Sequence, residues 1–261
     1  MKIAVSFFIS WQIGNMEYRE LTQEEFEDIA SRILYEDNHL LVINKRVGEI
    51  VQGDKTGDEP LSETLKAFIA IRDSKPGRVF MGVPHRLDRP VSGVALFAKT
   101  SKALERLNEA FRNGDVHKTY WALCTARPEP ESGELRHFLV RNEKQNKSYA
   151  YADEAAARRA GGRGGISEGA KEARLRYKLL EDTDRYHLVE VELLTGRHHQ
   201  IRCQLSAIGC PIKGDLKYGA PRSNRDGGIC LHARTITLVH PVRKEEISVT
   251  APVDWSPIIC K

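Results

Sequence analysis

The residues best suited to chemistry form one short motif, a carboxylate between two arginines, His85-Arg86-Leu87-Asp88-Arg89-Pro90. Pro90 disfavours helix at the residue before it, so Asp88 is predicted to lie on a loop. Gly93 then lets the backbone turn into the apolar segment 94–98. The flanking guanidinium groups are expected to keep Asp88 ionised at neutral pH, as a carboxylate nucleophile requires. For this motif alone, a structural ion pair on a surface loop is the commoner explanation.

Other kinds of chemistry have little support in the sequence. Nine histidines are present, but His198 and His199 are adjacent and no His-Glu-x-x-His or paired-cysteine spacing occurs. The phosphate-binding pattern Gly-x-x-x-x-Gly-Lys-Ser/Thr is absent as well. We therefore expect neither a catalytic metal nor a cofactor.

Composition and cysteine usage indicate a protein of the cytoplasm. The five cysteines (Cys124, Cys203, Cys210, Cys230 and Cys260) are odd in number, widely spaced and free of Cys-x-x-Cys pairs. Reduced thiols are therefore expected. A hydrophobic fraction of 41% supports a buried core. No apolar run approaches the ~20 residues that span a bilayer, so no membrane association is predicted.

The net charge of +4 is unevenly distributed along the chain. Residues 1–38 carry a net −5, which leaves +9 on the remainder. A basic body suits a polyanionic partner such as RNA, although many proteins carry comparable charge. We predict residues 1–33 to be an N-terminal extension with a short acidic helix, residues 1–15 having no assigned role. The main domain is then 34–261.

The elements expected to position these residues follow from periodicity and turn signals. Thr22 with Glu25 forms a capping box that begins a helix, and Thr100 or Ser101 begins another that Gly114 ends. A third helix covers the region of Leu61 to Ile69, and a short one follows Thr195-Gly196 and ends at Gly209. Strands are predicted at 40–44, 49–52, 94–99, 117–125, within 134–151, and at 173–180, 187–194, 230–239 and 246–249. Many strands with few helices between them predict an α+β fold on a largely antiparallel sheet.

One segment, 158–165, is dominated by glycine and arginine. It is predicted to be a mobile basic loop because glycine disfavours helix. It could grip phosphates, but a solvated insertion explains it equally well.

The Asp88 motif resembles the active-site motif of the RluA-type pseudouridine synthases, His-Arg-Leu-Asp-x-x-Thr/Ser-Gly. Three further matches follow the family's order along the chain. Leu40 to Lys45 with Gly48 resembles the opening motif, and Lys118-Thr119-Tyr120-Trp121-Ala122 resembles Lys-x-Tyr-x-Ala. Leu194 to Arg202, together with Gly209 to Asp215 and Tyr218-Gly219, resembles the third motif. The resemblance spans roughly residues 34 to 255.

The resemblance implies a pseudouridine synthase fold, a mixed and largely antiparallel sheet with flanking helices and a central RNA-binding cleft. It implies an enzyme that isomerises specific uridines of ribosomal or transfer RNA to pseudouridine. Residues 34–261 would be its catalytic domain. The small helical RNA-binding domain that many members carry at the N-terminus is not evident, so RNA capture is expected to rest on the catalytic domain. No protein partner is implied, and a monomer is expected.

The resemblance also implies roles for individual residues. Asp88 matches the nucleophile, which would attack ribose carbon 1 or uracil carbon 6, and the sequence does not choose between them. Arg202 matches its partner, a role that suits a permanently charged, forked guanidinium, although a phosphate-binding or merely exposed arginine is the alternative. Tyr120 matches a residue that removes the carbon 5 proton or stacks on the base. As a base, its pKa near 10 would have to be lowered by a neighbour such as Lys118 or Arg202.

The remaining matches concern substrate binding. A target uridine must leave its stack to reach a pocket, and Arg86 matches the residue that fills the vacated space. His85 could hydrogen-bond or stack beside it, and Leu205 matches an apolar residue that lines the uracil pocket. Lys118 and Gln200 complete the candidate binding residues.

The sequence departs from the family motif at three positions, and it leaves one alternative function open. His198, Gln204 and Cys210 stand where the family usually has threonine, histidine and histidine, which affects RNA contacts or packing rather than the reaction. The alternative function is an RNA-binding or RNA-folding module that keeps the scaffold with little or no catalysis. The joint presence of Asp88, Tyr120 and Arg202 favours the enzyme, because binding alone needs none of them.

Overall fold

The structure is a computed structural model that describes residues 8–9, 18–54, 56–161, 169–253 and 255 of the 261-residue chain. Over these residues the fold is α+β, with helices packed around one ten-stranded sheet. The predicted fold class is therefore confirmed. Within the described ranges, no helix combines the length and apolar character needed to cross a bilayer.

Most strands follow from alternation or from continuous apolar runs. The strands are β1 Phe8–Ile9, β2 Leu21–Thr22, β3 Ile33–Glu36, β4 Leu40–Lys45, β5 Ser92–Ala98, β6 His117–Cys124, β7 Ser132–Asn142, β8 Lys147–Tyr151, β9 Lys171–Asp182, β10 His187–Leu193, β11 Leu231–Val239 and β12 Glu246–Thr250. In β9, Ala173, Leu175 and Tyr177 are buried and the residues between them are exposed, the period of two that a half-buried strand requires. In β5 nearly every residue is buried, as in a strand covered on both faces.

The order of strands in the sheet differs from their order in the chain. It is β3-β4-β5-β11-β6-β10-β9-β7-β8, and β12 pairs with β11. Strand β11 runs parallel to β5 and antiparallel to β6, and the other pairings of this sheet are antiparallel. A strand from late in the chain therefore joins the two halves of the sheet.

The helices are α1 Gln23–Arg32, α2 Leu61–Arg72, α3 Ser101–Asn113, α4 Glu154–Gly161 and α5 Gln200–Ala207, and a 3-10 turn covers Leu216–Tyr218. The capping box of α1 is confirmed, since the Glu25 amide donates to Thr22 Oγ1 at 3.2 Å and the Thr22 amide donates to Glu25 at 2.9 Å. Thr100 caps α3, and Gly114 ends it at φ +85°. These ends were predictable because capping is local.

The acidic helix α1 packs onto the rest of the molecule. Ile29 is only 1% exposed and belongs to the main apolar core. The ring centroid of Phe26 lies 4.7 Å from that of Phe68 in α2. Burial of this face stabilises the helix more than its own short length could.

The prediction of a strand at 49–52 is wrong. The backbone turns at Gly48, where φ is +89°, and Ile50 and Val51 are both buried although they are consecutive. The carbonyl of Ile50 accepts the amide of Leu61 at the start of α2, at 2.7 Å. The segment is an irregular connection whose apolar side chains enter the core without strand pairing.

The prediction of a loop from residue 158 is wrong for residues 158–161, which end α4. Asp153 Oδ1 accepts the Ala156 amide at 2.6 Å and begins the helix. Arg158 forms an ion pair with Glu154 one turn earlier, at 2.6 Å. The alanine-rich start and this i,i+4 pair favour helix before the glycines begin. Residues 162–165 lie outside the described residues.

The cysteines that the structure describes are free and buried, as expected of reduced thiols. They are Cys124, Cys203, Cys210 and Cys230. Cys260 lies outside the described residues.

Candidate active site

Asp88 lies on a loop whose backbone carbonyls are hydrogen-bonded. The Val91 amide donates to the carbonyl of Asp88 at 3.0 Å and closes a turn. The ammonium of Lys45, a residue only 1% exposed, donates to the carbonyls of Arg89 at 3.3 Å and Val91 at 2.7 Å. Burial lowers the pKa of Lys45 to about 8. The loop prediction is confirmed, and β4 holds the loop in place through Lys45.

The carboxylate of Asp88 is paired with Arg202 of α5. Arg202 Nη1 donates to Asp88 Oδ2 at 3.1 Å. The rest of this guanidinium is held by Asp215, which accepts from Nε at 2.7 Å and from Nη2 at 2.9 Å. Burial opposes the charge on Arg202, but the hydrogen bonds and charges of both carboxylates raise its pKa. The side chains of Asp215 and Arg202 are 1% and 6% exposed and that of Asp88 is 33% exposed, so Asp88 is the member that a substrate can reach.

The arginines beside Asp88 in the sequence do not pair with it. Arg89 Nη2 lies 2.6 Å from Asp58 and 2.8 Å from the Thr56 hydroxyl. Arg86 is exposed and makes no hydrogen bond or ion pair with any residue that the structure describes. The two arginines that flank Asp88 in the sequence therefore do not pair with its carboxylate, because loop geometry sends neighbouring side chains in different directions.

A cavity of about 90 Å³ lies beside Asp88. Its lining combines apolar and polar side chains, a mixture that suits a planar polar ring. The apolar members are Leu87, Val91, Leu193, Ile201 and Leu231, and the polar ones are Arg86, Asp88, Tyr120, Arg197, His199, Gln200 and Arg202. Five of the eight candidates named from the sequence thus meet here, and His85, Lys118 and Leu205 do not line the cavity.

Tyr120 of β6 lines the cavity, and its hydroxyl makes no hydrogen bond to the described residues. Burial, together with the charge of Asp88, raises its pKa. The expectation that a neighbouring cation lowers this pKa is wrong. Lys118 directs its ammonium to the Phe111 ring, 5.3 Å from the centroid, and Arg202 is committed to two carboxylates.

Two further candidates, His85 and Leu205, pack behind the residues that line the cavity. His85 Nε2 accepts the Leu96 amide at 3.0 Å, and its ring stacks on Phe111 with centroids 5.2 Å apart. Burial lowers the pKa of His85 to about 3, so the ring stays neutral and can accept. The first residue of the motif is thus pinned to β5 and α3. Leu205 lies in the core, and Ile201, one helical turn earlier, lines the cavity instead.

Gln200 lines the cavity, but its amide is used within the protein. Its Oε1 accepts from the Thr195 hydroxyl at 2.8 Å and the Arg197 amide at 3.0 Å. Its Nε2 donates to the carbonyl of Arg174 at 2.9 Å. Gln200 therefore shapes the turn from 195 to 199 that leads into α5.

Three residues of the site were not singled out from the sequence. Asp215 holds Arg202, as described above. His199 lies with Nε2 3.4 Å from Asp88 Oδ2 and Nδ1 3.0 Å from the Tyr218 hydroxyl. The Arg202 guanidinium lies 5.1 Å from the centroid of the Tyr218 ring. Asp215 and Tyr218 stood within the motif matches, but residue type alone did not indicate their contacts.

The family model described as RNA pseudouridylate synthase matches residues 39–207 of this chain. The chain belongs to this family. The match contains the Asp88 loop, the strand with Tyr120 and the helix with Arg202, so the predicted resemblance is confirmed.

Similar proteins carry related names. Ribosomal large subunit pseudouridine synthase C of Vibrio cholerae is 31% identical over 228 residues, which is 85% of this chain and 65% of that protein. The enzyme of the same name from Escherichia coli is 32% identical over 234 residues, 87% of this chain and 67% of that protein. The chain thus spans about two thirds of the length of these curated relatives.

A solved human structure of the family agrees in fold. Human RNA pseudouridylate synthase domain containing 4 superposes with a TM-score of 0.71 at 26% identity. The alignment covers 89% of this chain and 92% of that chain. The pseudouridine synthase fold is therefore present over nearly the whole chain.

The three departures from the family motif lie in packed positions. His198 contacts the Ser148 hydroxyl through Nδ1 at 2.9 Å. Gln204 is fully buried and donates to the carbonyls of Leu135 and Ala173, both at 3.2 Å. Cys210 is 2% exposed. None of the three lines the cavity, so they affect local packing around it.

Proposed function

We propose that this chain is an RNA pseudouridine synthase that isomerises specific uridines in ribosomal or transfer RNA with Asp88 as the nucleophile. The observation that carries the proposal is the pairing of a partly exposed Asp88 with a buried Arg202, beside a cavity of mixed polarity. Membership of the family supports it further.

The reaction needs one carboxylate and no added atoms. Asp88 attacks ribose carbon 1 or adds to uracil carbon 6, and the bond from ribose to uracil nitrogen 1 breaks. The base turns, and carbon 5 bonds to the ribose carbon. The proton on carbon 5 leaves, nitrogen 1 gains a proton, and the carboxylate is released. Arg202 orients Asp88 because its guanidinium is permanently charged and is held in place by Asp215.

Tyr120 is proposed to contact the base at the cavity wall. Its raised pKa disfavours the phenolate that a strong base would need, and its hydroxyl is not engaged by the described residues. These two observations support stacking of the Tyr120 ring against the base. Removal of the carbon 5 proton by the hydroxyl would require bound RNA to change the surroundings of Tyr120. Lys118, whose ammonium lies 5.3 Å from the centroid of the Phe111 ring, is proposed to support this wall.

RNA capture is proposed to use cations around the cavity. Arg86 and Arg197 are exposed and line it. Arg86, two residues before Asp88, is placed to enter the space that a flipped uridine leaves. Burial lowers the pKa of His199, and the positive charge of Lys217 lowers it further. Such cations supply the phosphate contacts on which RNA affinity depends.

The wider assignments are proposals of the same kind. We propose a cytoplasmic location, supported by the free, buried cysteines of the described residues, and a monomer. The proposed catalytic domain is 34–261, with 1–33 as an extension.

The test is release of tritium from cellular RNA labelled at uridine carbon 5, taken from a strain that lacks this protein. Wild type should release tritium, and Asp88→Asn should release none because an amide is not a nucleophile. Asp184→Asn, at an exposed turn, is the control and should behave as wild type. Release by Asp88→Asn at the wild-type rate would rule out the nucleophile. RNA binding by wild type without release would favour the binding module.

A further inference from the structure

The two oxygens of Asp88 have different surroundings. Arg202 Nη1 donates to Oδ2 at 3.1 Å, and His199 Nε2 lies 3.4 Å from the same atom. No described residue hydrogen-bonds to Oδ1. The contact to His199 is longer than a good hydrogen bond, as catalytic contacts often are before substrate binds.

The partner on the other side of the ring sets the tautomer of His199. The Ser148 amide donates to the Tyr218 hydroxyl at 2.8 Å. Among the described residues, His199 Nδ1 at 3.0 Å is the one acceptor within reach of this hydroxyl's own proton, so the hydroxyl is assigned as the donor. A neutral imidazole that accepts at Nδ1 carries its proton on Nε2. That proton faces Asp88.

The surroundings of His199 keep it neutral and fixed. Its side chain is 6% exposed, and its ring lies edge-on to Tyr218 and stacked on His198, with centroids 5.6 Å and 3.8 Å away. Burial and the charge of Arg202 lower the pKa of His199 to about 2. The backbone of His199 is left-handed, with φ +54°, which is uncommon for a residue other than glycine. Such a strained backbone conformation persists only where the surrounding structure enforces it.

We propose that His199 is a positioning residue that holds Oδ2 of Asp88 together with Arg202, so that Oδ1 is the attacking oxygen. The inference rests on the proposed role of Asp88 as nucleophile. A neutral donor suits this role because it orients the carboxylate without adding a second full charge that would weaken it as a nucleophile. Tyr218 and Ser148 act through His199 by selecting its tautomer.

Two substitutions of His199 test the contacts of its two ring nitrogens separately. The amide of His199→Gln reaches the position of Nε2 and can still donate to Asp88. The shorter side chain of His199→Asn reaches only the position of Nδ1, so it retains the Tyr218 contact and loses the donor to Asp88. His117→Asn, an exposed position at the start of β6, is the matched control.

The measurements are the single-turnover rate of tritium release at saturating enzyme and the affinity for the same labelled RNA. His199→Asn should lose about tenfold or more in rate, the factor expected for a hydrogen bond to a charged group. Its RNA affinity should stay unchanged. His199→Gln should keep most of the rate. If His199→Asn reacts as fast as wild type, or if both variants lose the same rate, the inference fails while an inert Asp88→Asn leaves the proposed function intact.

A spectroscopic measurement reports the tautomer without reference to activity. Nitrogen-15 NMR of histidine-labelled protein should show the proton of His199 on Nε2. In Tyr218→Phe a fraction of the molecules should carry this proton on Nδ1, because the donor to Nδ1 has been removed. A proton on Nδ1 of wild-type His199, or no change in Tyr218→Phe, would overturn the inference.

Discussion

At the scale of single residues, the position of Asp88 depends on Arg202, and the position of Arg202 depends in turn on Asp215. Arg202 orients Asp88 with one nitrogen because Asp215 occupies two others. A buried guanidinium without its carboxylate would be strongly destabilising, since its desolvation would have no compensation. Asp215 therefore matters to both stability and chemistry.

We predict that Asp215→Asn lowers the free energy of unfolding by about 3 kcal/mol, the cost of breaking a buried ion pair, and reduces tritium release. Urea unfolding and the release assay measure the two effects. Asp182→Asn, which weakens the surface contacts of Asp182 with Arg127 and His187, is the control and should leave both close to wild type. Equal stability of the two variants would contradict the prediction.

At the scale of elements, the parallel pairing of β5 with β11 depends on Gly93. A Cβ at this position would lie 2.2 Å from the Ala233 carbonyl oxygen, and φ is +111°. The two backbones therefore approach more closely than a side chain permits. Because β5 follows directly from the Asp88 loop, this contact also helps to fix where that loop ends.

Gly93→Ala should destabilise the fold by about 3 kcal/mol or more, from overpacking added to the strain of a positive φ. Gly114→Ala is the control, since φ there is +85° but nothing lies within 4 Å of the added carbon. That variant should lose only about 1 kcal/mol, the strain alone. Chemical unfolding of both gives the difference, and equal losses would show that the close approach is unimportant.

At the scale of the whole molecule, a buried histidine ties the strands of the sheet to the end of the described chain. His232 is 1% exposed, with Nδ1 2.8 Å from the Ser92 hydroxyl and Nε2 3.3 Å from the Ala251 carbonyl. Burial lowers the pKa of His232 to about 4, against 6.5 for an exposed histidine. Between these values the unfolded chain binds a proton that the native protein does not.

The free energy of unfolding should therefore fall as the pH drops from 6.5 toward 4, with His232 contributing about 1.4 kcal/mol per pH unit. In His232→Gln this contribution is absent, so the loss between pH 7.5 and pH 5 should be smaller than in wild type. Urea unfolding at the two pH values measures it. His117→Gln, at an exposed histidine, should keep the wild-type dependence, and an unchanged dependence in His232→Gln would refute the assignment.

The sequence by itself determined the local features: the capped ends of α1 and α3, the alternating strand β9, and the loop that Pro90 forces around Asp88. Each depends on residues close together in the chain. The resemblance also named Asp88, Tyr120 and Arg202, whose roles stay predictions, while the structure brings all three to one cavity.

Only the tertiary structure decided which groups meet. Arg89, next to Asp88 in the chain, pairs with Asp58 instead, whereas Arg202 reaches Asp88 across 114 positions. The insertion of β11 between β5 and β6, and the contact of His199 with Asp88, arise in the same way. Local preferences act over a few residues, but burial and charge pairing are satisfied between segments that the whole fold brings together.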